Sequence, residues 1–353
     1  MTSACRDGFR VLGSRFLVRG SGFRVPVSAI AVAAALLVLR PVPRAQTVAD
    51  PVRVEMSDEA MGTTFALVLH GSDRQQVEQA GRAALAEAAR LDNLLSNYKP
   101  DSEWSAMNRA AGREPFPVSA ELFDLLSACA EYTRATEGAF DITVGPLLKA
   151  WGFFKGEGAL PPPDVVRRAL ADVGGANVRL DARTRTVSFA RPGVELDPGG
   201  IGKGYAVDRM VAILRARGVS SAFVSAGGSS LYGVGAPPGE PRGWATRIRH
   251  PHDSSRTAAE VFLRDTSLST SGSYEKFFRA GGTAYSHIMD PRTGFPARGS
   301  SSVSVIAPRT IDSEAWTKAY FVNGRTWAQA HVRHGTRVLM CDDSAEAACR
   351  WLE

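Results

Sequence analysis

The stretch Glu195–Asp208, ELDPGGIGKGYAVD, reads as an apolar strand end, a double glycine, and a helix opened by Lys203-Gly204-Tyr205. Glycines let backbone approach a ligand closely, and the unpaired N–H groups of a helix start attract an anion. A second glycine turn follows the apolar run Ala222-Phe223-Val224, in SAGGSSLYGVG from Ser225 to Gly235. Two such turns, each expected at a strand end, suggest a backbone-lined site for an anionic ligand. The alternative is a pair of ordinary strand-to-helix connections. Neither turn has the G-x-x-x-x-G-K-[ST] pattern, which excludes a Walker loop. The first also lacks the three-glycine dinucleotide fingerprint with its later acidic residue.

Working outward, Val52 to Leu69 alternates like two strands around Met61-Gly62-Thr63-Thr64. Apolar residues then recur at helical spacing from Gln75 to Leu95, and a second helix spans about 120–137 with Gly138 as its stop. Pro161-Pro162-Pro163 opens a third helix reaching Asp172, and Tyr205 to Arg217 forms a fourth closed by Gly218. Strands follow near 222–225, 245–249, 260–263, 266–270 and 302–306. Helices at 313–322 and 327–333 precede a last strand at 336–340. Strands interrupted by helices without strict alternation predict an α+β fold, with a mixed, largely antiparallel sheet and flanking helices.

Of the 353 residues, 42 are basic and 36 acidic, yet seven of the arginines and only Asp7 lie within 1–46. The remainder is balanced at 35 of each, so the basic pI makes no case for nucleic-acid binding. The Arg-rich lead and the apolar run Val25–Leu39 read as an export signal or an N-terminal membrane anchor plus linker over 1–46. A second unit then occupies 47–353, outside the cytoplasm. Cys341 and Cys349 suit a short disulfide in an oxidising compartment, or simply two small buried residues.

His287, set among Ser, Tyr and Asp beside an Asp-Pro turn, is the candidate general base. Asp141 and Asp197, at element ends, suit either a helix cap or a ligand contact. Glu314, Thr317 and Lys318 share one helical face, as a plain Glu–Lys pair would. Ser271 stands in a Thr-Ser-Gly turn without a nucleophile elbow, which argues against a serine hydrolase.

The order of MGTTF, LSNY, GAFDITVGPLLKAWGF, LDPGGIGKGYAVD, the double-glycine turn, TSGSY and YSHIMDPRTGFP resembles the ApbE family of flavin transferases over residues 52–340. The resemblance implies a T-fold-like domain that binds FAD and splits its pyrophosphate with Mg2+. FMN is then attached to a Thr or Ser hydroxyl of an acceptor protein, a membrane or periplasmic redox protein, and AMP is released. By motif position, Met61, Tyr98, Ala139, Phe140, Asp141, Asp197, Lys203 and Met289 are implied flavin-nucleotide contacts. Gly200 is the implied carbonyl ligand of the metal, and His287 the group that deprotonates the acceptor.

The metal helix departs from the family pattern. Where an Asp and then an Asp or Thr are usual, this chain has Glu314, Thr317 and Lys318, with Asp312 as a substitute carboxylate if the alignment shifts. Ser225 and Ser229 replace the usual Asn and Asp beside the double glycine. Three readings stay open: weaker magnesium binding through Glu314 and Gly200, Lys318 as a fixed positive charge, or FAD binding without turnover. Storage of FAD and its hydrolysis to FMN and AMP are the alternatives to transfer.

Overall fold

A computed structural model describes residues 51–344 and 348–352. The export signal or anchor expected over 1–46 lies outside the described residues. Among the described residues no helix is long and apolar enough to cross a membrane.

The described part opens with a hairpin of β1 (Val52–Ala60) and β2 (Thr63–Gly71). Met61 (φ 51°) and Gly62 (φ 68°) make its two-residue turn, the left-handed pair that matches the twist of a hairpin. Next come α1 (Arg74–Leu95), α2 (Glu103–Ala110), β3 (Phe116–Pro117), α3 (Ala120–Ala135), α4 (Gly145–Ala150) and α5 (Pro163–Ala171). The small strands β4 (Val178–Asp181) and β5 (Thr186–Phe189) join β3 in a separate sheet, and α6 (Gly202–Ala216) follows. The second half holds β6 (Ser221–Ala226), β7 (Ser230–Val234), β8 (Trp244–His250), β9 (Asp253–Leu263) and β10 (Thr266–Gly272). It ends with β11 (Phe277–Ala280), β12 (Thr283–Ser286), β13 (Ser300–Ala307), α7 (Thr310–Ala330), β14 (Arg337–Asp342) and β15 (Cys349–Trp351).

Eight strands form the main sheet in the order β1-β2-β6-β7-β10-β13-β14-β15, and every neighbouring pair is antiparallel. The fold is α+β, as the strand and helix pattern predicts. Period-two alternation sends the side chains of β13 to opposite faces. Val303 and Val305 join a core with Ala315 and Ala319 of α7, whereas Ile306 packs on the β8–β9 hairpin against Trp244 and Leu263. Ala80, Ala84 and Ala88 line the buried stripe of α1, against Leu67 and Leu69 of β2 and Met210 of α6.

Two expectations need correction. The run before the first double glycine is not a strand, because side chains occupy its backbone groups. Asn108 bonds both the Leu196 N–H and its carbonyl, and the Trp104 indole N–H donates to that same carbonyl. The second double glycine does not lead to a helix. Gly227 (φ 58°) and Gly228 (φ 69°) turn the β6–β7 hairpin, whose second strand is buried along its whole length. The two helices expected at 313–322 and 327–333 are both present, joined within α7 across Gly324, whose backbone (φ 79°, ψ 176°) is not helical.

Helices α6 and α7 touch at Gly204. A Cβ there would stand 2.7 Å from both Glu314 Oε2 and the Thr310 carbonyl, inside any normal contact. Asp208, one turn further along α6, accepts from the Thr310 and Ile311 N–H groups at 2.7 and 2.9 Å and so caps α7. Gly204→Ala is therefore expected to overpack this crossing and cost about 1–3 kcal/mol. Urea unfolding should show a lower midpoint at an unchanged slope; an unaltered midpoint would mean the helices do not meet here.

Candidate active site

The site grows from the turn Asp197–Ile201. Asp197 Oδ1 accepts from the Gly199 N–H at 2.8 Å, and Asn97 Nδ2 donates to Oδ2 at 2.6 Å. Burial raises the Asp197 carboxyl above its ordinary range, and these two bonds oppose the shift. The turn delivers the chain into α6, whose N-cap residue Ile201 offers no side-chain bond to the helix start. Lys203, on the first turn of α6, reaches across to the second glycine hairpin, where its Nζ donates to Ser229 Oγ at 2.6 Å.

Helix α7 closes the site from the opposite side. Glu314 is 1% exposed, and its Oε2 accepts from the Gly204 N–H. Lys318 Nζ lies 3.6 Å from Glu314 Oε1, one helical turn on. Burial lowers the Lys318 ammonium to about 8; Glu314 acts against that shift and the Lys203 charge adds to it. Gly200 runs along the lysine stem, since a Cβ on it would sit 3.9 Å from Lys318 Cε and 3.5 Å from the Phe140 ring. A row of hydroxyls ties α7 to β10: Ser267 and Ser269 meet Ser313 at 2.9 and 2.8 Å, and Ser271 meets Thr317 at 2.8 Å. Ser271 is thus a fastening of the helix.

His287 follows β12. Its Nδ1 lies 3.1 Å from the Lys276 carbonyl, which can only accept, so Nδ1 carries the proton and Nε2 holds the lone pair. Desolvation lowers the imidazole to about 4; the Lys276 carbonyl bond opposes this, and the charges of Lys276, Lys318 and Lys203 reinforce it. The ring retains partial surface exposure, and Phe153 meets it edge-on at 6.5 Å. Phe153 belongs to an aromatic wall with Trp151, Phe278 and Tyr285.

Of the residues expected at the site, Asp197, Gly200, Lys203, His287, Glu314, Thr317 and Lys318 converge around the turn. Phe140 reaches Gly200, and the Met61 sulfur lies 3.9 Å from where a Gly202 Cβ would be. Tyr98 is 65% exposed, stacks on Phe154 at 4.6 Å, and feels the Asp197 charge. Ala139 is buried beside Phe140. Asp141 caps the turn Ile142–Val144, accepting from the Thr143 N–H at 2.8 Å and its hydroxyl at 2.7 Å. Met289 packs with Leu147, Trp151 and Val166 in an apolar cluster behind the aromatic wall. Asp312 is no substitute carboxylate for the site, because it accepts from Tyr132 at 2.6 Å and from Arg309 at 2.7 and 2.8 Å.

Asn97 and Lys276 were not expected as site residues. Asn97 lies inside the LSNY motif, but nothing in the sequence marks the Lys276 carbonyl. A cleft of about 440 Å³ opens nearby between Tyr285, Asp290, Phe295, Arg298 and Val322. It adjoins the aromatic wall and is not lined by Lys203, Gly200 or Lys318, so the polar geometry rather than the cleft marks the chemistry.

The implied magnesium ion does not suit these donors. Mg2+ demands near-octahedral oxygen ligands. Here Glu314 is engaged by Gly204 and Lys318, and Thr317 Oγ1 is bonded to Ser271 and to the Glu314 carbonyl at 2.7 Å. An ammonium and a dication 4 Å apart repel by roughly 8 kcal/mol at an effective dielectric constant near 20. Among the described residues, no three His, Cys, Asp or Glu side chains are grouped to hold a metal.

Known proteins resemble this chain over two thirds or more of its length. The sequence model of the ApbE family matches residues 61–340. The FAD:protein FMN transferase of Treponema pallidum is 36% identical over 260 residues, covering 69% of this chain and 72% of that protein. The one from Salmonella typhimurium is 31% identical, over 87% of this chain and 89% of the relative. Among solved structures, the ApbE protein of Thermotoga maritima superposes with a TM-score of 0.78 at 30% identity, covering 86% of this chain and 97% of its own. The flavinyl transferase ApbE of Pseudomonas stutzeri gives a TM-score of 0.75 at 27% identity, covering 86% and 95%.

The His287 environment sets a pH expectation. The folded imidazole at about 4 lies below the ordinary 6.5, so the fold holds fewer protons than the unfolded chain between those values. The stability this contributes is complete above pH 6.5 and falls away as pH drops toward 4. An NMR titration should show the His287 ring neutral down to about pH 5; a midpoint at 6.5 or higher would contradict the desolvated setting.

Proposed function

The chain belongs to the ApbE family and is a transferase, and on that premise we propose that it moves the FMN part of FAD onto a Thr or Ser hydroxyl of an acceptor protein outside the cytoplasm, releasing AMP. The observation that carries this reading is His287. It is a neutral base with its lone pair on Nε2, in the field of two lysines that stand at a glycine turn. A hydroxyl needs such a base, and a dividing pyrophosphate needs cationic and backbone donors for its growing charge.

In this reading the acceptor oxygen attacks the flavin-side phosphorus and gives its proton to His287 Nε2. The bond from that phosphorus to the bridging oxygen breaks, and AMP leaves with the electron pair. Lys203, beside Ser229, and the N–H groups of Gly202 and Lys203, ahead of the Gly204 N–H that Glu314 takes, face the phosphates. Met61 and Tyr98 provide apolar surface for the ring systems, while the buried Phe140 backs Gly200 and the buried Met289 backs the aromatic wall. Ala139, Asp141 and Asp197 shape the backbone that carries Phe140 and the turn.

Location outside the cytoplasm, in the periplasm or on the outer face of the inner membrane, draws support from the Cys341–Cys349 disulfide across β14 and β15. Such bonds persist in oxidising compartments. Residues 1–46 serve as the export signal or membrane anchor plus linker, and 47–353 as the catalytic unit. The acceptor is a membrane or periplasmic redox protein with a Thr or Ser target.

Incubating the exported portion with FAD, magnesium and an acceptor carrying a Thr or Ser target tests the reading. Covalently yellow acceptor together with AMP is the expected result. Free FMN and AMP without labelled acceptor would make the chain a pyrophosphatase, and unchanged bound FAD a storage protein. His287→Ala should lower transfer by about 10²–10⁴-fold while FAD affinity stays within about threefold. Full transfer by that variant would remove His287 from the mechanism.

A further inference from the structure

The position that in the family pattern would complete a metal site holds instead a lysine gripped by its surroundings. Lys318 stands one turn beyond the buried Glu314, its stem lies along Gly200, and its ammonium is 3.6 Å from Glu314 Oε1. The other oxygen of Glu314 is taken by the Gly204 N–H, and the Thr317 hydroxyl is taken by Ser271. Lys203, the second cation, has a neutral hydroxyl partner in Ser229. Lys318 and Lys203 thus stand at the turn with the carboxylates of Glu314 and Asp197, and Lys276 adds a third positive charge felt by Asp197 and His287, leaving positive charge to be matched by a ligand. A dinucleotide pyrophosphate brings two negative charges.

Resting on the transferase reading above, we infer that the Lys318 ammonium takes the place of the divalent cation at the pyrophosphate, so that FAD is bound and cleaved here without a metal ion. Lys318 and Lys203 stay protonated throughout the transfer. The bond formed joins the acceptor oxygen to the flavin-side phosphorus, and the bond broken joins that phosphorus to the bridging oxygen. The electron pair stays on the AMP phosphate, facing the two ammoniums, and the hydroxyl proton goes to His287. No co-reactant is needed. A lysine is a compact point charge already anchored by the fold, whereas magnesium must shed tightly held water to bind.

The test measures FAD affinity, by quenching of flavin fluorescence, and transfer to an acceptor, each in millimolar magnesium and in excess chelator. Wild type is expected to bind FAD within about twofold under both conditions and to label the acceptor in chelator. Lys318→Thr should bind FAD about tenfold or more weakly in chelator, with magnesium restoring affinity because the repelling charge is gone. Lys318→Arg keeps the charge and should hold FAD in chelator, and thermal unfolding of each variant verifies its fold. If Lys318→Thr does not fold, wild type and Lys318→Arg decide the matter. Wild-type binding and transfer lost in chelator and regained with magnesium would overturn the inference and leave the transferase reading standing, as would unchanged affinity in folded Lys318→Thr. Folded wild type that binds FAD in neither condition would overturn both.

Discussion

One buried carboxylate holds the site together. Glu314 accepts from the backbone of α6 at Gly204 and lies beside the Lys318 ammonium on its own helix, so it fixes two helices and one cation at once. A buried charge is tolerated only when it is paired and hydrogen-bonded, and Glu314 has both partners. Its demand for space explains why residue 204 is glycine. Its demand for a counter-charge gives Lys318 a reason to lie against it, half-buried. The Asp208 cap on α7 and the hydroxyl row from β10 then hold the helix at the depth this contact requires.

The electrostatics follow from that arrangement. With Glu314 committed to Gly204 and Lys318, the charge of Lys203 is free to act on a ligand and on His287. Desolvation of the ring, with the charges of Lys276, Lys318 and Lys203, keeps the imidazole neutral. The same charges that would repel a metal ion therefore prepare an anion site and a base. Preorganised charge of this kind stabilises developing negative charge with little rearrangement during reaction.

Much of this was legible in the amino-acid sequence where a local signal existed. Alternation around Met61-Gly62 marked the first hairpin, and the alanine stripe with Gly138 and Gly218 as stops marked the helices. The motif order brought His287, Lys203 and Gly200 into one site although 87 residues separate the first and last of them. What stayed hidden depended on distant partners. β7 is buried on both faces, so it shows no alternation, and it read as part of a glycine turn. The irregular backbone at Leu196 depends on Asn108 and Trp104, and the commitment of Glu314 depends on Gly204. A plain Glu–Lys pair and a charge-bearing site look the same in sequence; burial and the Gly204 contact separate them.

The most direct test of the central claim is a crystal structure of the wild-type chain with FAD and manganese, which reports bound metal through its anomalous signal. The account predicts the pyrophosphate against Lys318 and Lys203, with no anomalous peak between the phosphates, Gly200 and Glu314. A manganese peak ligated by the Gly200 carbonyl and Glu314, with Lys318 turned away, would contradict it.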